Sequence, residues 1–276
     1  MKKSLLLCPV CGAPLNRGDA AYRCSTGHSF DRSAAGYVHL LPANRMHAKI
    51  PGDNKEMAAS RHRFLSTGAY EPLRRALIRA ALEHPSPAPV VADMGCGEGY
   101  YTEGIFRSLS GAGRPSAVVG IDISKFSLKY AAKRLQEGEF AVASVFHAPL
   151  ADRCADLLFN CFSPLCMEEF GRILKPGGRF VYVTPGKNHL MGLKRVLYDA
   201  PYENEEPVET YPGFRFHGQE QVDFPLTLNS AQQIADLFRM TPYYWRTPPA
   251  GMERLARLAA LETPASFRVL CYEKED

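Results

Sequence analysis

The chain has 276 residues, 46% hydrophobic and 22% charged, which suits one large domain with a small satellite. No apolar run approaches the roughly 18 residues of a membrane span, and the first apolar stretch is too short for a secretory signal. Eight cysteines are too few for a disulfide scaffold at this length. We therefore expect reduced thiols and a cytoplasmic protein.

The positive charge is concentrated at the N-terminus. Residues 1–50 carry seven lysines and arginines against two aspartates, a net charge of +5, whereas the whole chain has +4. The remainder therefore sums to −1. This asymmetry predicts that the N-terminal part meets an anion.

Two metal-ligand pairs follow the first residues. Cys8 and Cys11 are separated by two residues in a turn-forming Cys-Pro-Val-Cys-Gly sequence, and Cys24 and His28 by three. Three sulfurs and one nitrogen at this spacing suit a tetrahedral zinc with no open position, hence a structural ion. A redox Cys-x-x-Cys is disfavoured because no strand–helix pattern surrounds it. Such a small unit is expected to need its metal to fold.

The next segment is predicted to be a linker followed by helices. Residues 33–60 lack clear periodicity and run into a helix over residues 57–65, which Gly68 ends before a second helix over residues 73–82. Six basic residues in these helices are interpreted as a solvated face: Arg61, His62, Arg63, Arg74, Arg75 and Arg79.

A glycine-rich turn then follows a buried strand. Residues 90–93 form the strand, and Asp93-Met-Gly95-Cys-Gly97-Glu-Gly99 opens a helix. Side chains must be absent where backbone approaches a ligand. The preceding Asp93 would repel a pyrophosphate but attract a sulfonium and an ammonium group, which favours S-adenosylmethionine over a dinucleotide. A simple helix cap is the alternative role for Asp93.

Later strands continue the pattern. A second strand, residues 117–122, ends at Asp122, an acid suited to a ribose diol, and strands at residues 140–143, 156–162 and 179–184 alternate with helices. This alternation predicts a doubly wound parallel sheet whose ligands bind at the carboxyl ends of the strands. Polar or small residues at those ends are Gly95, Gly97, Asp122, Ser144, Asn160 and Thr184.

The turn at residues 93–99, Asp122 and Leu-Lys-Pro-Gly-Gly at residues 174–178 together resemble class I S-adenosylmethionine-dependent methyltransferases. With the cysteine–histidine motif, the chain resembles the family that methylates N1 of a guanine in large-subunit (23S) ribosomal RNA. Further matching segments are residues 36–41, 51–57, 96–101, 184–191 and 240–245.

That resemblance implies an α/β fold, a Rossmann-like doubly wound seven-stranded methyltransferase sheet with a small N-terminal zinc-binding domain. It implies a zinc-binding RNA-recognition domain over residues 1–40, a linker and helices over 41–84 and a methyltransferase domain over 85–276. It also implies a homodimer. The target would be one of two neighbouring guanines in a hairpin loop, a choice that sets macrolide-class antibiotic sensitivity.

The resemblance and the strand-end pattern assign cofactor contacts. The glycine-rich turn is expected to hold the methionine end, Asp122 the ribose and Ile123 the adenine, while Tyr70 closes over the methionine moiety and His189 contacts cofactor or substrate. The predicted cofactor-binding residues are Tyr70, Asp93, Gly95, Gly97, Glu98, Gly99, Tyr100, Asp122, Ile123, Ser144 and His189.

No unambiguous base is evident for the N1 proton of guanine. Asp53 and Glu98 are acidic candidates, whereas Asn160 or Ser163 would orient the base. Three aromatic residues are candidates for stacking on an extruded guanine, namely Tyr100, Phe162 and Trp245.

Other acceptors and activities stay open. Adenine amino-nitrogen methylation favours Asn/Asp-Pro-Pro-aromatic, from which residues 160–164 depart. Cytosine C5 methylation needs a nucleophile such as Cys161 or Cys166, and neither follows a proline. A small-molecule methyltransferase with a structural zinc knuckle is the main alternative, and a noncatalytic cofactor-binding protein is a third. The basic N-terminal fifth favours RNA.

Overall fold

The computed structural model describes residues 2–42, 44 and 52–276. Pro51 of the matching segment 51–57, and the basic residues Arg45, His47 and Lys49, lie outside the described residues. None of the helices within the described ranges is long and apolar enough to cross a membrane.

A small antiparallel sheet forms the N-terminus. Its strands follow one another in the order β1 (Lys2–Leu7), β2 (Pro14–Arg17), β3 (Ala21–Cys24) and β4 (Ser29–Asp31). Its buried residues include Leu6, Leu15 and Tyr22, which share one hydrophobic core with Val119 and Ile121 of the large sheet. The N-terminal sheet is therefore packed against the rest of the protein.

Two helices follow, as predicted. The first, α1 (Lys55–Ser66), begins at Asn54, whose side chain accepts hydrogen bonds from two backbone N–H groups of the first turn. The second, α2 (Glu71–Leu82), starts two residues earlier than expected. The turn between them includes Gly68, with φ of +79°.

The predicted doubly wound sheet is confirmed. Its strands are β5 (Val38–His39), β6 (Val90–Met94), β7 (Ala117–Asp122), β8 (Glu139–Val142), β9 (Ala155–Cys161), β10 (Leu174–Pro185), β11 (Phe214–Leu228) and β12 (Leu261–Lys274). They lie in the order β11-β12-β10-β9-β6-β7-β8-β5, and β12 is antiparallel to both of its neighbours. The expected seven strands thus gain an eighth, because β5 pairs with the edge strand β8.

Helices cover the sheet. The remaining ones are α3 (Tyr100–Gly111), α4 (Lys125–Arg134), α5 (Met167–Ile173), α6 (Met191–Leu197), α7 (Ala231–Arg239) and α8 (Pro249–Ala256). Successive side chains of a strand face opposite sides of a sheet, so Val91 and Leu157 join one core cluster whereas Ala92 and Leu158 join the other. The first cluster includes α1 to α4, and the second includes the N-terminal sheet.

Candidate functional site

The glycine-rich turn connects β6 to α3 with almost no room for side chains. Gly95 and Gly99 have φ of +87° and +80°, a region that L-residues rarely adopt. A Cβ on Gly95 would lie 2.2 Å from the Ser163 hydroxyl oxygen, and one on Gly99 2.9 Å from the Cα of Ala131. The turn is therefore fixed as glycine by both conformation and close packing.

Asp93, in the strand before this turn, carries an unsatisfied buried oxygen. The side chain is 2% exposed. Its Oδ2 accepts a hydrogen bond of 2.5 Å from the Thr102 hydroxyl, whereas Oδ1 has no partner among the residues that the structure describes. Burial, reinforced by the charge of Asp122, raises the pKa of Asp93 to about 7. A buried acceptor of this kind suits a cationic ligand group.

Asp122 closes the neighbouring strand and braces the turn. Its Oδ2 accepts the Gly97 N–H at 2.9 Å, and its Oδ1 accepts the Ser124 N–H at 2.7 Å. Burial raises the pKa of Asp122 to about 6, although these two hydrogen bonds favour the ionised form. The two strand-end acids thus stand on either side of the glycine-rich turn.

A cavity of about 560 Å³ opens at the carboxyl ends of the central strands, a volume typical of small-molecule sites. It brings together most of the predicted residues, namely Asp53, Tyr70, Asp93, Gly95, Gly97, Glu98, Tyr100, Asp122, Ile123, Ser163 and His189. The cavity is therefore the site that the strand-end pattern predicted.

Four predicted residues do not line this cavity, and Thr184 at the end of β10 is one of them. Gly99 caps α3, and the Ser144 hydroxyl accepts the Phe146 N–H. Asn160 is fully buried, and its amide donates to two backbone carbonyls, those of Met94 and Pro164. Asn160 therefore fixes the end of β9, and its Oδ1 is buried with no partner among the described residues.

The two acidic base candidates are both ion-paired. Asp53 lies 2.8 Å from the Nε of Arg61. One oxygen of Glu98 lies 2.8 Å from both Arg134 and His62, and its other oxygen is buried without a partner in the described parts of the chain. Glu98 is 1% exposed, so the paired oxygen is committed to Arg134 and His62.

The solvated basic face expected on α1 and α2 holds for Arg63, Arg75 and Arg79, whose side chains are 49%, 70% and 52% exposed, but not for Arg61 and Arg74, which are 22% and 21% exposed. Each of these arginines has a carboxylate partner in the described structure, in the pairs Arg61–Asp53, Arg63–Asp236, Arg74–Glu103, Arg75–Glu71 and Arg79–Glu220. These helices are thus largely neutralised, and Arg61 lines the cavity.

His189 is buried at the cavity wall. Its Nδ1 accepts the Ser266 N–H at 3.2 Å, and its ring centroid lies 4.6 Å from that of Phe267. Burial and the nearby charge of Lys194 lower the pKa of His189 to about 3. A neutral ring whose Nδ1 accepts a hydrogen bond carries its proton on Nε2. His189 therefore offers a hydrogen-bond donor and not a base.

Several cavity residues were missed from the sequence, among them Tyr101, Phe267 and residues 240–243. Phe267 belongs to β12, far along the chain, and no local pattern marks it. Residues 240–243 fall in a segment quoted for the family resemblance, which is the signal that could have assigned them to the site.

The four predicted metal ligands converge. The ligand atoms of Cys8, Cys11, Cys24 and His28 all lie within 4.8 Å of one another, with 3.8 Å between the Cys11 and Cys24 sulfurs. The Nδ1 of His28 lies 3.6 Å from the Cys8 sulfur and 3.4 Å from the Cys24 sulfur. Zn–S bonds of about 2.3 Å separate two sulfurs of a tetrahedral site by about 3.8 Å. The donor set therefore fits zinc, and residues 2–31 are called the zinc ribbon below.

The sheet order, the glycine-rich turn and the acids beside it define an S-adenosylmethionine-dependent methyltransferase of class I, here carrying a structural zinc site. Residues 6–49 match the zinc-ribbon family described as RlmA, N-terminal, and residues 86–222 match a methyltransferase domain. The chain belongs to the 23S rRNA (guanine-N1)-methyltransferase family, as its similarity to whole relatives shows.

Three relatives carry that name. The 23S rRNA (guanine(748)-N(1))-methyltransferase of Streptomyces fradiae is 34% identical, over 93% of this chain and 90% of its own length. A relative from Micromonospora griseorubida is 34% identical, over 95% and 93%, and one from Bacillus subtilis is 30% identical, over 97% and 96%. The similarity therefore covers the zinc ribbon and the catalytic domain together.

Proposed function

We propose that this protein transfers a methyl group from S-adenosylmethionine to N1 of a guanine in a hairpin loop of 23S ribosomal RNA. The observation that carries the proposal is similarity over more than nine-tenths of the chain to relatives named for this activity. The cavity supports it with donor-binding chemistry. A ribosomal substrate implies action in the cytoplasm.

When bound, the cofactor would supply a methyl group on a positively charged sulfur, and the sulfur would be the leaving group as the acceptor nitrogen attacks in line. We assign the unpartnered Oδ1 of Asp93 to the cationic methionine end and Asp122 to the ribose hydroxyls. Ile123 lies beside Asp122 in the cavity wall and is assigned to the adenine. The protein's task is to position the two reactants and exclude water.

The acceptor side has one acid left for the N1 proton. Asp93 and Asp122 are assigned to the cofactor, and Glu98 is held by Arg134 and His62. Asp53 is also paired, with Arg61, but its side chain is 17% exposed against 1% for Glu98, so Asp53 is assigned as the proton acceptor. The Nε2–H of His189 is assigned to stabilise the charge that develops on guanine O6, a role that its low pKa permits at neutral pH.

Two exposed aromatic side chains flank the cavity. Phe162 is 46% exposed and Trp245 is 67% exposed, and both line the cavity. Phe162 has φ of +56°, a strained conformation for a non-glycine residue that costs on the order of 1–3 kcal/mol and clusters at functional sites. Tyr100 is buried and donates to Glu71. Phe162 and Trp245, and not Tyr100, are therefore assigned to stack on the extruded guanine.

The direct test is methylation of 23S ribosomal RNA transcripts by the purified protein with labelled S-adenosylmethionine. We expect labelled N1-methylguanosine in nucleoside digests and a reverse-transcription stop at one hairpin-loop guanine, because N1 lies on the pairing edge. Asp53→Asn should abolish most of the product while retaining cofactor affinity. Label entering small molecules of a nucleic-acid-free extract, and not RNA, would favour the small-molecule alternative.

Trp245 provides a second prediction, because it is the only tryptophan in the chain. Its fluorescence should be quenched when a hairpin RNA with a loop guanine binds. Base–aromatic stacking contributes roughly 1–3 kcal/mol, so Trp245→Ala and Phe162→Ala should each raise the KM for RNA about fivefold or more. Trp245→Phe should restore most of the affinity, and cofactor affinity should not change. Unchanged fluorescence on RNA binding would remove Trp245 from the assignment.

A further inference from the structure

Three lysines form an exposed row on α4. Lys125, Lys129 and Lys133 are spaced by four residues and are all exposed, whereas Leu128 and Ala131 of the same helix are buried. At 1.5 Å per residue, the row is about 12 Å long. We call these three residues the lysine stripe.

The lysine stripe is unpaired in the part of the chain that the structure describes. Within residues 2–42, 44 and 52–276, none of its three ammonium groups lies in an ion pair, in contrast to the paired arginines of α1 and α2. Like charges four residues apart repel one another on a helix. Lys125 is also the first residue of α4, where the helix dipole disfavours a cation. The local energetics thus oppose the stripe, and an external anion would relieve them.

The helix that carries the stripe connects the cavity to the zinc ribbon, the part of the chain to which the family resemblance assigns RNA recognition. At its start, the side chain of Ser124 caps α4 and donates to the Asp53 carbonyl at 2.6 Å, and the adjacent Ile123 lines the cavity. Beyond its end, Arg17 of the zinc ribbon donates to the carbonyls of Gln136 and Gly138, each at 3.1 Å. The stripe therefore runs from the cavity towards the zinc ribbon.

We propose that the lysine stripe binds the sugar–phosphate backbone of the substrate RNA between the guanine in the cavity and the segment held by the zinc ribbon. The inference rests on the proposed function and adds the surface along which the RNA lies. The argument for this proposal is charge complementarity, because unpaired lysines that neutralise phosphates release the counterions condensed on the RNA. The contacts would be independent of sequence and would set the register of the target base.

The test compares two variants that each lose three positive charges. Lys125→Gln/Lys129→Gln/Lys133→Gln removes the stripe with little change in helix propensity. The control, Arg75→Gln/Arg215→Gln/Arg257→Gln, removes exposed arginines elsewhere. Affinity for a hairpin RNA is measured between about 50 and 200 mM salt. The stripe variant should bind at least tenfold more weakly at low salt, with a salt slope smaller by about 3.

The outcomes separate the two proposals. Cofactor affinity should match wild type in both variants, and neither should melt appreciably below wild type, which excludes a folding defect. If wild type binds and methylates the RNA but the stripe variant loses no more affinity or slope than the control, the stripe proposal is overturned and the proposed function stands. If wild type neither binds nor methylates RNA, both are overturned.

Discussion

Asp93→Asn should weaken S-adenosylmethionine binding by roughly 100-fold. The substitution keeps the shape and a hydrogen-bond acceptor for Thr102, but it removes the negative charge at the buried Oδ1. Losing one partner of a buried charge pair costs on the order of 2–5 kcal/mol, and about 1.4 kcal/mol corresponds to tenfold in affinity. Calorimetric titration of the purified variant measures the effect.

The same carboxyl predicts how cofactor binding depends on pH. With a pKa of about 7, Asp93 is mostly protonated below neutrality and must lose its proton to bind a cation. Affinity should therefore rise up to tenfold per pH unit from acidic pH and level off above about 7. Asp122, with a pKa of about 6, adds a step at lower pH.

Two variants show which carboxyl group causes each step in the pH dependence of cofactor affinity. Asp93→Asn should lose the step near neutrality, whereas Asp122→Asn should retain it at a lower pH, because the charge of Asp122 contributes to raising the pKa of Asp93. A wild-type affinity that is flat across this range, or a step that survives in Asp93→Asn, would contradict the assignment of Asp93 to the cation.

The features predicted well from the sequence are those that depend on a few neighbouring residues. The turn at residues 93–99 needs glycine for its backbone, and Asp122 ends a continuous apolar run typical of a buried parallel strand, so both are visible within a few residues. The strand predicted over residues 117–122 is observed as Ala117–Asp122, whereas the one predicted over residues 179–184 begins five residues earlier, in β10 (Leu174–Pro185). The four metal ligands were predictable because turn chemistry places each pair.

The features that were missed depend on contacts between distant parts of the chain. Arg63 is paired with Asp236, 173 residues away, and no charge pattern on α1 reveals that partner. Likewise, β5 has only two residues, and its pairing with β8 follows from the position of the zinc ribbon on the sheet. Helical spacing alone could not separate neutralised arginines from the unpaired lysines of α4.

The zinc ribbon is packed so closely on the large sheet that deleting it would also damage that sheet. Leu6 and Leu15 share a core with Val119 and Ile121. In β1, the Ser4 hydroxyl and the Leu5 N–H both donate hydrogen bonds to the carboxylate of Glu139 at the start of β8. Removing residues 1–40 would also remove β5. A loss of RNA binding on deletion would therefore mix lost RNA contacts with damage to the catalytic sheet, and point substitutions are the sharper test.

Cys24→Ser is expected to release most of the zinc and to destabilise the whole chain. Structural zinc contributes roughly 10–16 kcal/mol to the folding of small modules, and wild type should contain about one zinc per chain. Because Cys24 itself lies in the core shared with the large sheet, unfolding of the ribbon exposes apolar surface of that sheet. We expect the melting temperature to fall by about 10 °C or more, since 1 kcal/mol corresponds to about 2–4 °C at this size.

Cys166→Ser is the matched control, because this cysteine lies outside the metal cluster, at the start of α5. It should keep full zinc and the wild-type melting temperature, as measured by metal analysis and calorimetry. Full zinc in Cys24→Ser would contradict the ligand assignment. Zinc loss with an unchanged melting temperature would contradict the coupling instead, because a ribbon that merely rests on the sheet can unfold without exposing Val119 and Ile121.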